Sequence, residues 1–129
     1  MSPQRTHSDL ERGQELGSAK TGVAHWWTQR ATAVALIPLT LWFVAALVGL
    51  AGRGHAAVIA WLESPLAAIL TILLLVALFQ HIALGLQVVI EDYVHAMRSK
   101  LAALLVVRLG CAALAVAGIF AVGRIALAH

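Results

Sequence analysis

Residues 64–90 read SPLAAILTILLLVALFQHIALGLQVVI, twenty-seven positions without a single Asp, Glu, Lys or Arg. A helix needs about 20 consecutive apolar residues to cross the hydrocarbon of a bilayer. This stretch is therefore long enough to cross with tilt or to project beyond the hydrocarbon. Working outward, residues 31–52 form a second charge-free run. A third spans about 101–127, with Arg108 near its start and Arg124 near its end. Only 15 residues lie uninterrupted between these two arginines, whose long stems allow their charges to snorkel to opposite interfaces.

Composition agrees with three spans. Of 129 residues, 61% are hydrophobic and 12% charged, against about 25% charged in an ordinary soluble domain. The expected fold is an all-α integral membrane domain with three transmembrane helices over residues 25–129, preceded by a polar arm, residues 1–24. The arm has mixed charge and no apolar h-region, so it does not read as a signal peptide. It is expected to be flexible or to lie on the surface.

The net charge of +3 is a matter of topology, with no indication of nucleic acid binding. Arg5, Arg12, Lys20, Arg30, Arg98, Lys100 and Arg108 fall on one side, and only Arg53 and Arg124 on the other. The side richer in Lys and Arg is cytoplasmic, which places the N-terminus and the 94–100 loop inside and the C-terminus outside. Trp26, Trp27 and Tyr93 then mark the inner interface and Trp61 the outer one, as an aromatic belt requires. Trp42 lies mid-span and is expected to pack on a neighbouring helix or lipid. Pro38 reads as a kink, tolerated where neighbours satisfy the freed carbonyl. Cys111, the lone cysteine, reads as a small packing residue. Ala113, Ala117 and Ala121 recur at the four-residue spacing that lets helix backbones approach. Three helices with several polar side chains do not close a bundle, so a partner subunit is expected.

His81 carries the functional information. It lies inside the longest apolar run, ten residues before Glu91, and an ionisable group at such depth is expensive unless it has a role. Gly85 follows four residues later, on the same helix face at about 100° per residue, and leaves room for a flat ligand beside the imidazole. Asp92 follows eleven residues after His81, again near that face and about 16 Å along the axis, with Tyr93 adjacent. A neutral imidazole ligates haem iron, and it equally serves as a hydrogen bonder between helices. A tyrosine hydroxyl can bond a quinone carbonyl while a carboxylate beside it relays protons. Arg30, at the cytoplasmic start of the first span and close in depth to Tyr93, suits a propionate. Taken singly, Gly85 reads as packing, Asp92 and Tyr93 as a solvated helix end, and Arg30 as a topology charge. His25 and His95 read as interfacial and solvated. Gln80 and Gln87 share one face and are expected to bond between helices. A transport or channel subunit would place more polar groups along a midplane pathway than His81 and two glutamines.

The segment QHIALGLQVVIEDYVH (80–95) resembles the second transmembrane helix of the hydrophobic membrane anchor subunits of succinate dehydrogenase, respiratory complex II. The pattern is His, Gly four residues on, and Asp-Tyr beginning eleven residues after the His, met here by His81, Gly85, Asp92 and Tyr93. The segment QRATAVALIPLTLW (29–42) is similar to the opening of that family's first helix, and the likeness covers about residues 25–127. The resemblance implies that His81 is an axial ligand of haem b, binding its iron, with Arg30 near the propionates. It implies that Tyr93 binds ubiquinone and that Asp92 lines the same pocket. The second haem ligand would come from a separate cytochrome b subunit, packed with this chain into a larger helical bundle. A flavoprotein with FAD and an iron–sulfur subunit would dock on the cytoplasmic face. The implied activity is succinate:ubiquinone oxidoreduction in the tricarboxylic acid cycle and aerobic respiration. This chain would do no succinate chemistry itself. The Ala-rich, Arg-using composition points to a bacterium and hence to its inner membrane. A haem-free structural anchor and a fumarate reductase anchor are the alternatives within the family.

Overall fold

The computed structural model describes residues 3–128, with side chains described from residue 21 onward. Among these residues the chain forms four α-helices: α1 (Pro3–Leu50), α2 (His55–Glu63), α3 (Pro65–Tyr93) and α4 (Met97–Ala126). Three segments are long and apolar enough to cross a membrane, Thr21–Leu50, Pro65–Tyr93 and Met97–Ala126. They correspond to the three runs read from the sequence.

The helix ends follow from local chemistry. α1 stops where Gly52 and Gly54 take φ of +79° and +83°, the left-handed region that glycine enters without steric cost. Ser64 joins α2 to α3. Its backbone N–H and its hydroxyl both donate to the Trp61 carbonyl, at 3.2 and 2.9 Å. Its hydroxyl oxygen in turn accepts from the Ala67 N–H at 3.4 Å. Pro65 then occupies the first turn, where its missing N–H leaves no intrahelical bond unmade. At the other end, residues 94–96 make a short link that turns the chain back into α4.

Two features differ from the expectation. α1 begins well before residue 31. Residues 21–30 are already helical and, Arg30 apart, uncharged. The backbone helix continues upstream to Pro3. The second difference is α2, a nine-residue helix between the first two spans. Trp61 from α2 stacks on Trp42 of α1 at 5.6 Å between ring centroids and 30° between planes. Trp42 therefore does pack on a neighbouring helix, as expected. α1 runs through Pro38 without ending.

α3 is the central element. It packs against both α1 and α4, whereas α1 and α4 make no comparable contact with each other. Burial follows this plan: Ala67, Ala68, Thr71, Leu74 and Leu84 of α3 are buried, with Val122 of α4. α3 and α4 are in tight contact at Gly118, where an added Cβ would lie 3.0 Å from Leu75 Cδ1. Ala113, Ala117 and Ala121 do not make this approach. All three are exposed on the outer side of α4. The chain is thus a row of three helices, and most of the apolar surface of α1 and α4 remains uncovered.

Candidate functional site

The α1–α3 register is read from two contacts. Thr32 Oγ1 lies 3.1 Å from His81 Nδ1. A Cβ built on Gly85 would lie 3.9 Å from Gln29 Nε2. Moving four residues up α3 thus moves three residues down α1, as antiparallel helices require. These contacts fix which α1 side chains stand beside the imidazole.

His81 is half-buried and opens onto a groove of about 400 Å³ between α1 and α3. The groove is lined by His25, Trp26, Gln29, Arg30, Ala33, His81, Leu84 and Val88. Its walls are chiefly apolar, with a few polar groups at set positions, as is usual in cofactor sites. The Arg30 guanidinium carbon sits 4.6 Å from the centroid of the Trp26 ring, one helical turn away, in cation–π contact. Trp26 also meets Trp27 edge-on at 5.1 Å and 86°. Gln29 Oε1 is buried without a hydrogen-bond partner, an acceptor at the groove wall that a further donor would satisfy.

The groove brings His81 and Arg30 together. It does not include Asp92 or Tyr93. Both are exposed at the C-terminal end of α3, and Tyr93 keeps 78% of its surface accessible. Tyr93 lies twelve residues beyond His81, about 18 Å along the helix. The expectation that Arg30 is close in depth to Tyr93 is corrected. Arg30 stands near the level of residue 83 of α3, as the pairing of Thr32 with His81 and of Gln29 with Gly85 requires. His25 also departs from expectation, since it is half-buried in the same groove.

Thr32, Gln29 and Trp26 are site residues that sequence reasoning did not single out. Thr32 and Gln29 do fall inside the 29–42 segment that carried the second resemblance, and that position was their one available signal.

On the other side of α3, Gln80, Gln87, Arg108 and Cys111 line a second groove of about 340 Å³, facing α4. Gln87 Nε2 donates to Glu91 Oε1 at 2.9 Å. This bond lies within α3, one turn apart, and not between helices as expected. Among the described residues no three His, Cys, Asp or Glu side chains come together to hold a metal ion. Two imidazoles, of His81 and His25, line the α1–α3 groove, with no third such ligand beside them among the described residues.

A family profile described as succinate dehydrogenase/fumarate reductase transmembrane subunit matches residues 2–121. The chain is 32% identical over 104 residues to the succinate dehydrogenase hydrophobic membrane anchor subunit of Rickettsia bellii, covering 79% of this chain and 82% of that one. To the protein of the same description from Paracoccus denitrificans it is 31% identical over 112 residues, 87% of this chain and 86% of the relative. A succinate dehydrogenase membrane anchor subunit of Reclinomonas americana is 31% identical over 94 residues, 69% of this chain and 77% of the relative.

Proposed function

Because the chain belongs to the succinate dehydrogenase/fumarate reductase transmembrane subunit family, we propose that it anchors its complex through a haem b and shapes a ubiquinone site at the inner membrane face. As a membrane anchor subunit of succinate dehydrogenase it works with other subunits of that complex and in a membrane. The finer assignment concerns which residues do what.

One observation carries it. His81 lies in the α1–α3 groove with Nδ1 engaged by Thr32 and its other ring nitrogen left for a ligand. A purely structural histidine would be expected to spend both ring nitrogens on protein partners. The groove residues fit a haem: an imidazole, apolar walls from Ala33, Leu84 and Val88, and an arginine for a propionate. A haem b held there would supply a one-electron redox centre. His81 would hold its iron through Nε2, Arg30 would pair with a propionate, and a cytochrome b subunit would supply the other iron ligand.

Ubiquinone binds nearer the cytoplasmic surface. Tyr93 donates a hydrogen bond to a quinone carbonyl, and Asp92 passes protons from the aqueous side. Reduction to the quinol takes up two electrons, delivered through the iron–sulfur subunit, and two protons. Those electrons originate in succinate oxidation at the FAD of the flavoprotein. The exposure of Tyr93 and Asp92 supports this reading, since their partners would be a quinone and the docked soluble subunits. The inner membrane of a bacterium is the setting, and the tricarboxylic acid cycle and aerobic respiration the context.

The test is a reduced-minus-oxidised optical spectrum of the complex purified with this chain. A b-type band is expected, and His81→Ala should abolish or strongly alter it. An unaltered spectrum removes His81 from the ligand set. An intact, quinone-reducing complex with no haem band makes this a haem-free anchor and returns His81 to a structural role.

A further inference from the structure

We propose that Thr32 is a positioning residue that holds His81 in the Nδ1–H tautomer, so that Nε2 presents its lone pair to the groove. The proposal rests on the reading of His81 as a haem ligand and adds how this chain prepares that ligand.

Three acceptor or donor atoms surround one hydroxyl. Thr32 Oγ1 lies 2.8 Å from the Thr28 carbonyl oxygen, 3.0 Å from the Gln29 carbonyl oxygen and 3.1 Å from His81 Nδ1. A hydroxyl has one proton to donate, and both carbonyls are acceptors only. At 2.8 Å an O–H must point at the carbonyl, since two facing lone pairs at that distance repel. The Thr32 proton is therefore committed to the backbone of α1, and a lone pair faces the imidazole. Nδ1 must then be the donor. A neutral imidazole carries one N–H, so Nε2 is left unprotonated, which is the form that binds a metal.

The acceptor is also well fixed. Thr32 is half-buried and β-branched, which restricts χ1, and its bond to the carbonyl one turn back selects one of the two rotamers a helical threonine uses. Thr28 repeats the motif, donating to the Ala24 carbonyl at 2.8 Å, but only Thr32 faces the histidine. A partner that accepts from the distal N–H of a metal-bound histidine orients the ring and raises its basicity. A more basic imidazole favours the ferric over the ferrous state. Removing the acceptor should raise the potential of the haem and loosen its hold.

The test uses the complete membrane-bound complex. Thr32→Val keeps the shape and removes the acceptor, Thr32→Ala removes it with less bulk, and Thr32→Ser restores it. Haem content, the midpoint potential and the electron paramagnetic resonance of the ferric haem are read in each. Thr32→Val should retain haem about tenfold more weakly, within the range for loss of such a partner. Its ferric–ferrous equilibrium should shift up to about tenfold toward ferrous, which for one electron is about 59 mV upward. Thr32→Ser should return most of both. Should Thr32→Val fail to assemble, Thr32→Ala must show the same direction of change. Haem with unmoved potential and resonance in both acceptor-less variants overturns the proposal.

The tautomer is read separately by 15N histidine NMR of the full chain in lipid nanodiscs without haem. A protonated Nδ1 and bare Nε2 are expected at His81, giving way to a tautomer mixture in Thr32→Val. The reverse tautomer in the unsubstituted chain overturns the proposal. If His81→Ala leaves the haem spectrum intact, the ligand reading itself has failed and the positioning role falls with it, whatever the NMR shows.

Discussion

Replacing Gly118 with alanine should weaken α3–α4 packing through one side chain. The new Cβ would stand 3.0 Å from Leu75 Cδ1, 3.4 Å from Cδ2 and 3.8 Å from Cγ. Carbon atoms attract best at about 3.5–4.0 Å, so Leu75 must give way by about 0.5 Å. Overpacking of this kind costs about 1–3 kcal/mol. Against it stands the intrinsic preference of helix interiors for alanine over glycine, up to about 1 kcal/mol in water. The expected net loss is about 1 kcal/mol, the difference of those two ranges near their centres. Gly110, on the same helix, has nothing within 4 Å of its virtual Cβ. Gly110→Ala in the isolated chain isolates the backbone gain and should not destabilise. Leu75→Ala removes all three crowding atoms, so the Gly118→Ala/Leu75→Ala double variant should recover the overpacking cost. The assay is unfolding of the detergent-solubilised chain in a rising mole fraction of SDS, followed by circular dichroism and closed as a double-mutant cycle. Strict additivity within about 0.5 kcal/mol would refute the reasoning, because the cost assigned to Gly118 would not pass through Leu75.

Two further outcomes are expected. Tyr93→Phe should cut quinone reduction by the assembled complex tenfold or more, by analogy with loss of one positioned hydrogen bond worth about 1.5 kcal/mol, while electron transfer from succinate to an artificial acceptor stays near its normal rate. Unchanged quinone reductase activity would take Tyr93 out of the site. Trp61→Ala removes the ring stacked on Trp42 and should destabilise the chain by about 1 kcal/mol or more, since aromatic pairs add about 0.5–1.5 kcal/mol beyond their buried area. No change in the same SDS titration would mean that the α2 contact contributes nothing to stability.

The three spans were legible because charged residues are excluded from hydrocarbon, so their positions bracket the apolar runs. The start of α1 was not legible by the same rule. Residues 21–29 carry no charge, and Arg30 read as the margin of the span although it lies well inside the helix. The groove inherits that error, since the Thr32–His81 pairing sets Arg30 near the level of residue 83 and not of Tyr93. α2 was missed because HAAVIAWLE is short, preceded by glycines, followed by Ser64-Pro65 and too brief for periodicity to declare itself. Within α3 the spacing of His81, Gly85 and Asp92 was readable from helix geometry alone. The Thr32–His81 pairing was not. It joins residues 49 apart in the chain, and it depends on how α1 slides along α3, which is decided by packing at Gly85, Leu84 and Ala33 and not by any local pattern. Gln87 illustrates the converse. It lines the groove facing α4 together with Gln80, but its side-chain amide bonds Glu91 one turn away on its own helix.

The row arrangement has a consequence for the order of synthesis. Every residue lining the His81 groove falls between positions 25 and 88, so α4 supplies none of the lining and borders it only behind Leu84, which also lines the α3–α4 groove. All of these residues are therefore synthesised before α4 begins at Met97. α4 then packs on the opposite side of α3 and adds no side chain to the lining of the groove. Truncations that remove α4 should thus cost the chain its second flank while sparing its histidine.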